Sequence, residues 1–77
     1  MGQKQIDDYV KLVGLNILSY RKQKGLTQKD LAQRAGLRQT ILRNIESSNT
    51  DASFSLDILF DIANELDIEV KKLFETR

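Results

Sequence analysis

Apolar residues along this chain recur at three- and four-residue intervals, and no stretch alternates strongly enough to argue for a strand. Ile6, Val10, Val13, Ile17 and Tyr20 follow spacings of 4, 3, 4 and 3, which places them on one side of a helix of about 3.6 residues per turn. Proline is absent from all 77 residues. Nothing in the chain therefore forbids helix, and the punctuation falls to glycine and to clusters of Ser, Thr, Asn and Asp.

With that punctuation the spacing predicts five short helices. The first runs from Ile6 to Lys24 and is closed by Gly25, a residue suited to a left-handed cap. Gly14 lies inside it, where glycine costs about 1 kcal/mol relative to alanine, so another backbone is expected to approach closely there. The second helix opens on Thr27-Gln28-Lys29-Asp30, a capping box in which the Thr27 hydroxyl and the Asp30 carboxylate each accept from the other's backbone N–H. Leu31, Ala32 and Ala35 face inward, and Gly36 ends it. The third spans Gln39 to Glu46 with Leu42 and Ile45 inward. Ser47 to Ser53 is a loop. The fourth starts at Ser55 and is expected to bury Leu56, Leu59, Ile62, Ala63 and Leu66. The fifth, Glu69 to about Glu75, offers Val70, Leu73 and Phe74. The expectation is an all-α chain forming one domain over residues 1–77, since a length this small supports one hydrophobic core.

Composition then removes most kinds of chemistry. Cysteine and histidine are both absent, so zinc fingers, disulfides, thiol nucleophiles and histidine proton transfer are excluded. Neither a metal, a cofactor nor an enzymatic role is expected. Apolar runs reach only three or four residues against the ~18 that span a bilayer, and there is no signal-peptide h-region, so the expected location is the cytoplasm, away from membranes. The net charge of +1 hides a strong asymmetry. Residues 20–46 hold seven Lys and Arg against two acids, +5, whereas residues 47–77 hold three against seven, −4. A basic middle joined to an acidic end suits a molecule that turns one side to a polyanion. Asp57, Asp61 and Glu65, spaced four apart, read as a solvated helix face.

The helical pair around Gly36 narrows this further. A small residue at Ala32 lets the third helix cross the second, Gly36 permits positive φ in the turn, and Leu42 and Ile45 anchor the third helix. Its opposite side then carries Gln39, Thr40, Arg43 and Asn44, groups that hydrogen-bond base edges or phosphates. In these features the stretch GLTQKDLAQRAGLRQTILRNIE, residues 25–46, resembles the Cro/CI-type (XRE, lambda-repressor-like) helix-turn-helix family, and SLDILFDIANELDIEVKKLF, residues 55–74, is similar to that family's closing two helices. The resemblance implies a five-helix lambda-repressor-like DNA-binding domain, with the motif at 28–47 and helices four and five at 55–75.

What the resemblance implies for single residues follows position by position. Gln39, Thr40 and Asn44 fall where the family reads bases. Gln28, Lys29, Arg38, Arg43 and Asn49 fall on phosphate or mixed positions, with Arg38 replacing the Ser or Thr that commonly caps the third helix. Arg21 and Glu46 match an internal ion pair. Asp67 and Glu69 replace a frequent glycine and serine before the last helix. The family implies a homodimer on a palindromic operator in double-stranded DNA. Because the motif fills nearly the whole chain, the expected type is a compact repressor or a restriction-modification controller. The alternative is a protein-interaction module, such as an antitoxin, that keeps the fold to bind a protein partner. Leu15 and Leu18, with Leu12, form a second apolar flank on the first helix. These two, together with Ile58, Phe60 and Phe74, are open to two readings, as core or as dimer contacts. Ile41 is expected to be exposed beside the readout residues.

Overall fold

The computed structural model describes residues 2–47 and 55–76. Helix α1 spans Gln3–Gln23, α2 Gln28–Ala35, α3 Gln39–Glu46 and α4 Leu56–Glu65, followed by a 3-10 helix at Val70–Phe74; no strand occurs among the described residues. The loop residues from Ser48 to Ser53 and the position of Asn49 fall outside the described residues.

Local chemistry explains the boundaries. At the start of α2 the Asp30 N–H donates to Thr27 Oγ1 at 3.0 Å, and the Thr27 N–H donates to Asp30 Oδ2 at 3.1 Å. Two of the helix's orphan donors are satisfied by that reciprocal pair. At its far end Gly36 adopts φ +72, and the Leu37 N–H returns to the Ala32 carbonyl at 2.8 Å. This is the left-handed closure that glycine tolerates without strain. Helix α3 begins at Arg38 without a side-chain cap, whereas Ser55 Oγ accepts from the Ile58 N–H at 3.4 Å to open α4.

The buried core consists of Val13 and Ile17 from α1, Leu31 and Ala32 from α2, Leu42 and Ile45 from α3, Leu59, Ile62, Ala63 and Leu66 on or just after α4, and Leu73. Helix α1 packs on α3 and on the 3-10 helix, while α2 packs on α3 and α4. The α1–α3 crossing passes at Gly14, where an added Cβ would collide with the Ile45 carbonyl oxygen. Close packing of a helix on a backbone carbonyl requires the missing side chain.

Four expectations need correction. The closing segment is a five-residue 3-10 helix, not an α-helix over Glu69–Glu75. It is too short to gain from α-helical hydrogen bonds, has no side-chain cap, and gives its Leu73 and Glu75 carbonyls to Asn16 Nδ2 at 2.8 and 2.9 Å. Leu56 is 64% exposed, because the core ends at Leu59, one turn later. Ile6, at the head of the α1 stripe, is likewise 58% exposed. Ile41, by contrast, is half-buried and packs against the core. The turn after α4 closes as the Gly36 turn does, with the Ile68 N–H donating to the Ala63 carbonyl at 3.0 Å. Its left-handed residue is Asp67, at φ +60.

Candidate nucleic-acid interface

Helix α3 separates two kinds of side chain along eight residues. Leu42 and Ile45 are fully buried, while Gln39, Thr40, Arg43 and Asn44 are exposed on the other side. The separation follows from spacing alone: residues three or four apart share a face, and 42 and 45 set which face goes down. The outer side is then a row of amides, a hydroxyl and a guanidinium. Those groups are the ones that pair with adenine edges, thymine edges and phosphates. Arg38, immediately before α3, and Lys29, in the first turn of α2, are exposed as well.

The inner end of α3 is fixed by a polar cluster. Arg21 on α1 donates through Nε to Glu46 Oε2 at 2.7 Å and through Nη2 to Oε1 at 2.9 Å, with side chains only 9% and 3% exposed. Arg21 Nη1 also donates to the Leu26 carbonyl at 2.8 Å. Glu46 Oε1 takes a further hydrogen bond from Gln28 Nε2 at 3.0 Å. One carboxylate thereby ties α1, the first residue of α2 and the last residue of α3 together. Buried charge of this kind is tolerated because every partner is supplied; among the described residues no buried side-chain nitrogen or oxygen lacks a hydrogen bond.

Gln28 therefore stands in a more constrained state than its sequence position implies. A carboxylate only accepts, so the amide nitrogen must face Glu46. One of its two amide protons is engaged there. At the same helix end Asp30 is held below the usual carboxylate range. The Thr27 backbone N–H contributes most, then the Thr27 hydroxyl, with weaker help from Arg34 and Lys29. Its charge is directed into the cap rather than into an acid–base role.

The remaining sequence candidates scatter. Leu15 and Phe60 are well exposed, Phe74 sits at the boundary, and Leu18 and Ile58 are half-buried. Leu15 and Leu18 lie on α1, Ile58 and Phe60 on α4, and Phe74 ends the 3-10 helix. Among the described residues no group of three or more acidic, histidine or cysteine side chains could hold a metal, and no helix is long and apolar enough to cross a membrane. Two contributors escaped the sequence reading. Asn16, 1% exposed, was detectable as a lone amide between Val13 and Ile17 on a buried stripe, where an unpaired polar group is costly. The Gln28–Glu46 bond had no local signal, since 18 residues separate the partners.

Comparison with known proteins agrees with this geometry. A helix-turn-helix family model matches residues 17–73. The HTH-type transcriptional regulator SinR of Bacillus subtilis (strain 168) is 32% identical over 66 residues, which covers 86% of this chain and 59% of SinR, so the chain spans about three fifths of that curated relative. A crystal structure of SinR, the master regulator for biofilm formation, in complex with DNA aligns with a TM-score of 0.75 at 33% identity, covering 82% of this chain and 98% of that one. The restriction-modification controller protein C.AhdI from Aeromonas hydrophila aligns with a TM-score of 0.77 at 31% identity, covering 84% and 96%. The match across residues 17–73, with the capped α2, the Gly36 turn and the two-sided α3 in place, shows that the chain belongs to the helix-turn-helix family of Cro/CI (XRE) type.

Proposed function

We propose that the chain is a sequence-specific, double-stranded DNA-binding transcriptional regulator that reads a palindromic operator as a homodimer through α3. The observation that carries this reading is the outer side of α3, where Gln39, Thr40, Arg43 and Asn44 stand exposed opposite the buried Leu42 and Ile45. Gln39, Thr40 and Asn44 read base edges; Gln39 suits adenine, which an amide meets bidentately. Arg43, Arg38 and Lys29 neutralise phosphates, and Gln28 gives its remaining amide proton to one. Asn49, which falls outside the described residues, would add a phosphate or mixed contact. The segment charge of +5 over residues 20–46 supplies attraction. Two α3 helices would enter successive major grooves about 34 Å apart. The kinship with SinR and C.AhdI supports a regulator of the compact repressor or controller type.

Selection of bound sequences from random duplexes tests this directly. Enrichment of a palindromic consensus is expected, with retention on DNA that falls steeply as salt rises. No enrichment, together with salt-insensitive retention, would overturn it.

A further inference from the structure

A short 3-10 helix holds itself poorly, because its hydrogen bonds are few and badly aligned. Val70–Phe74 begins without a side-chain cap. Its backbone supplies the Lys72 N–H to the Glu69 carbonyl at 3.0 Å and, just beyond it, the Glu75 N–H to the Lys72 carbonyl at 3.4 Å. Its ion pairs, Lys71–Glu69 at 3.8 Å and Lys72–Glu75 at 3.5 Å, join side chains between 46% and 74% exposed. Pairs in that setting add little.

What holds the segment down comes from the rest of the molecule. Leu73 is fully buried in the core, and the segment packs chiefly on α1 and α4. At its end the Leu73 and Glu75 carbonyls have no following helical turn to accept from, and Asn16 Nδ2 donates to both, at 2.8 and 2.9 Å. Both of its amide protons are then used. Asn16 is 1% exposed, and a buried amide is costly unless it is bonded. The chain enters the segment through Asp67, whose φ of +60 is a left-handed conformation that L residues adopt at a cost. The two buried polar clusters thus differ in reach. Glu46 binds α1, α2 and α3 to one another, so it lets go only when the core does; Asn16 binds one short segment to α1.

We propose that Val70–Glu75 is a strap that lifts and closes as a unit of its own, hinged at Asp67 and latched by Asn16, while α2, the Gly36 turn and α3 stay folded. The open form withdraws Leu73 from the core and uncovers apolar surface on α1 and α4. The contacts that hold α3 in place, Leu42, Ile45 and the Arg21–Glu46 pair, all lie outside the strap. The outer side of α3 is therefore presented in both forms, and the strap is an order–disorder device separate from it.

Native-state hydrogen exchange of the full chain, followed by NMR through a series of low denaturant concentrations, tests this. The Asn16 side-chain amide sits on α1 and the Lys72 N–H on the strap, so fraying of the strap's own backbone does not expose both. The Ile45 N–H, inside α3, reports opening of the core. Asn16 and Lys72 are expected to share one opening constant, at least about tenfold larger than that of Ile45 and with a smaller denaturant dependence. Thr27→Ala, which weakens the α2 cap, should raise the Ile45 opening constant about fivefold and leave that of the strap unchanged. Asn16→Ala, which strands two carbonyls, should raise the Lys72 opening constant at least about tenfold. A single opening constant and denaturant slope for all three reporters would overturn the strap, as would an equal response of Lys72 and Ile45 to Thr27→Ala. Unchanged Lys72 exchange in Asn16→Ala would overturn the latch.

Discussion

The two sides of α3 meet similar chemical groups, an amide and a guanidinium among them, under opposite conditions. On the inner side Glu46 is buried and accepts three hydrogen bonds, two from Arg21 and one from Gln28. On the outer side Gln39, Arg43 and Asn44 are exposed. Water has been removed from the first set and left on the second. A buried polar group must be matched inside the protein, so its removal is felt as stability; an exposed one is matched by solvent, so its removal is felt only by whatever replaces the solvent. The inner cluster holds α3 still, and the outer row is what it holds in position.

The largest effect should come from breaking the inner side. Glu46→Ala leaves the Arg21 guanidinium buried without its partner and releases Gln28, and is expected to cost about 3–5 kcal/mol. Chemical denaturation of the wild type and the variant measures it. A loss below about 1 kcal/mol would mean that solvent reaches Arg21 and that the contrast between the two sides is false. Gly14→Ala attacks the same side through sterics, since the added Cβ meets the Ile45 carbonyl. An overpacked crossing of this kind costs about 1–3 kcal/mol, and an unchanged melting temperature would contradict the close approach.

The capping box lies between these extremes, exposed yet bonded. Thr27→Ala should lower stability by about 1 kcal/mol. The Asp30 pKa is depressed in the folded state by the Thr27 N–H, so its contribution is present above the ordinary carboxylate range, near pH 4, and is lost as pH falls through the lowered value. Acid titration of stability should therefore show a smaller drop below pH 4 in Asp30→Asn, which has no carboxyl to protonate, than in the wild type. An identical drop would remove the box from the account. Smallest of all on stability are Thr40→Ala, Asn44→Ala and Arg43→Ala, each expected within about 0.5 kcal/mol of wild type in thermal unfolding.

Much of this arrangement is legible in the sequence, where local rules decide it. The Thr27–Asp30 box, the Gly36 turn and the inward pair Leu42 and Ile45 each follow from residues within a few positions of one another. Gly14 is legible for a different reason: glycine inside a helix is costly, and the cost asks for a neighbour. The readings fail where the answer depends on distant parts of the chain. Periodicity places Leu56 on the same stripe as Leu59 and Ile62 but does not say where the core stops. The segment Val70–Phe74 is held to α1 by an amide from Asn16, 57 residues from Leu73. Asp67 adopts positive φ at a turn where glycine is the usual choice, because the bonds closing α4 require it there.

The central claim is a division of labour on the outer side of α3, with bases read by Thr40 and Asn44 and a phosphate held by Arg43. Binding of wild type, Thr40→Ala, Asn44→Ala and Arg43→Ala to the selected operator and to single-base variants of it, each across a salt series, tests it most directly. Thr40→Ala and Asn44→Ala should lose discrimination at one base position by about 1–3 kcal/mol and keep the wild-type salt slope. Arg43→Ala should weaken every sequence alike and flatten the slope by about one unit. Equal losses on all sequences for the three variants, with one common slope, would contradict the account.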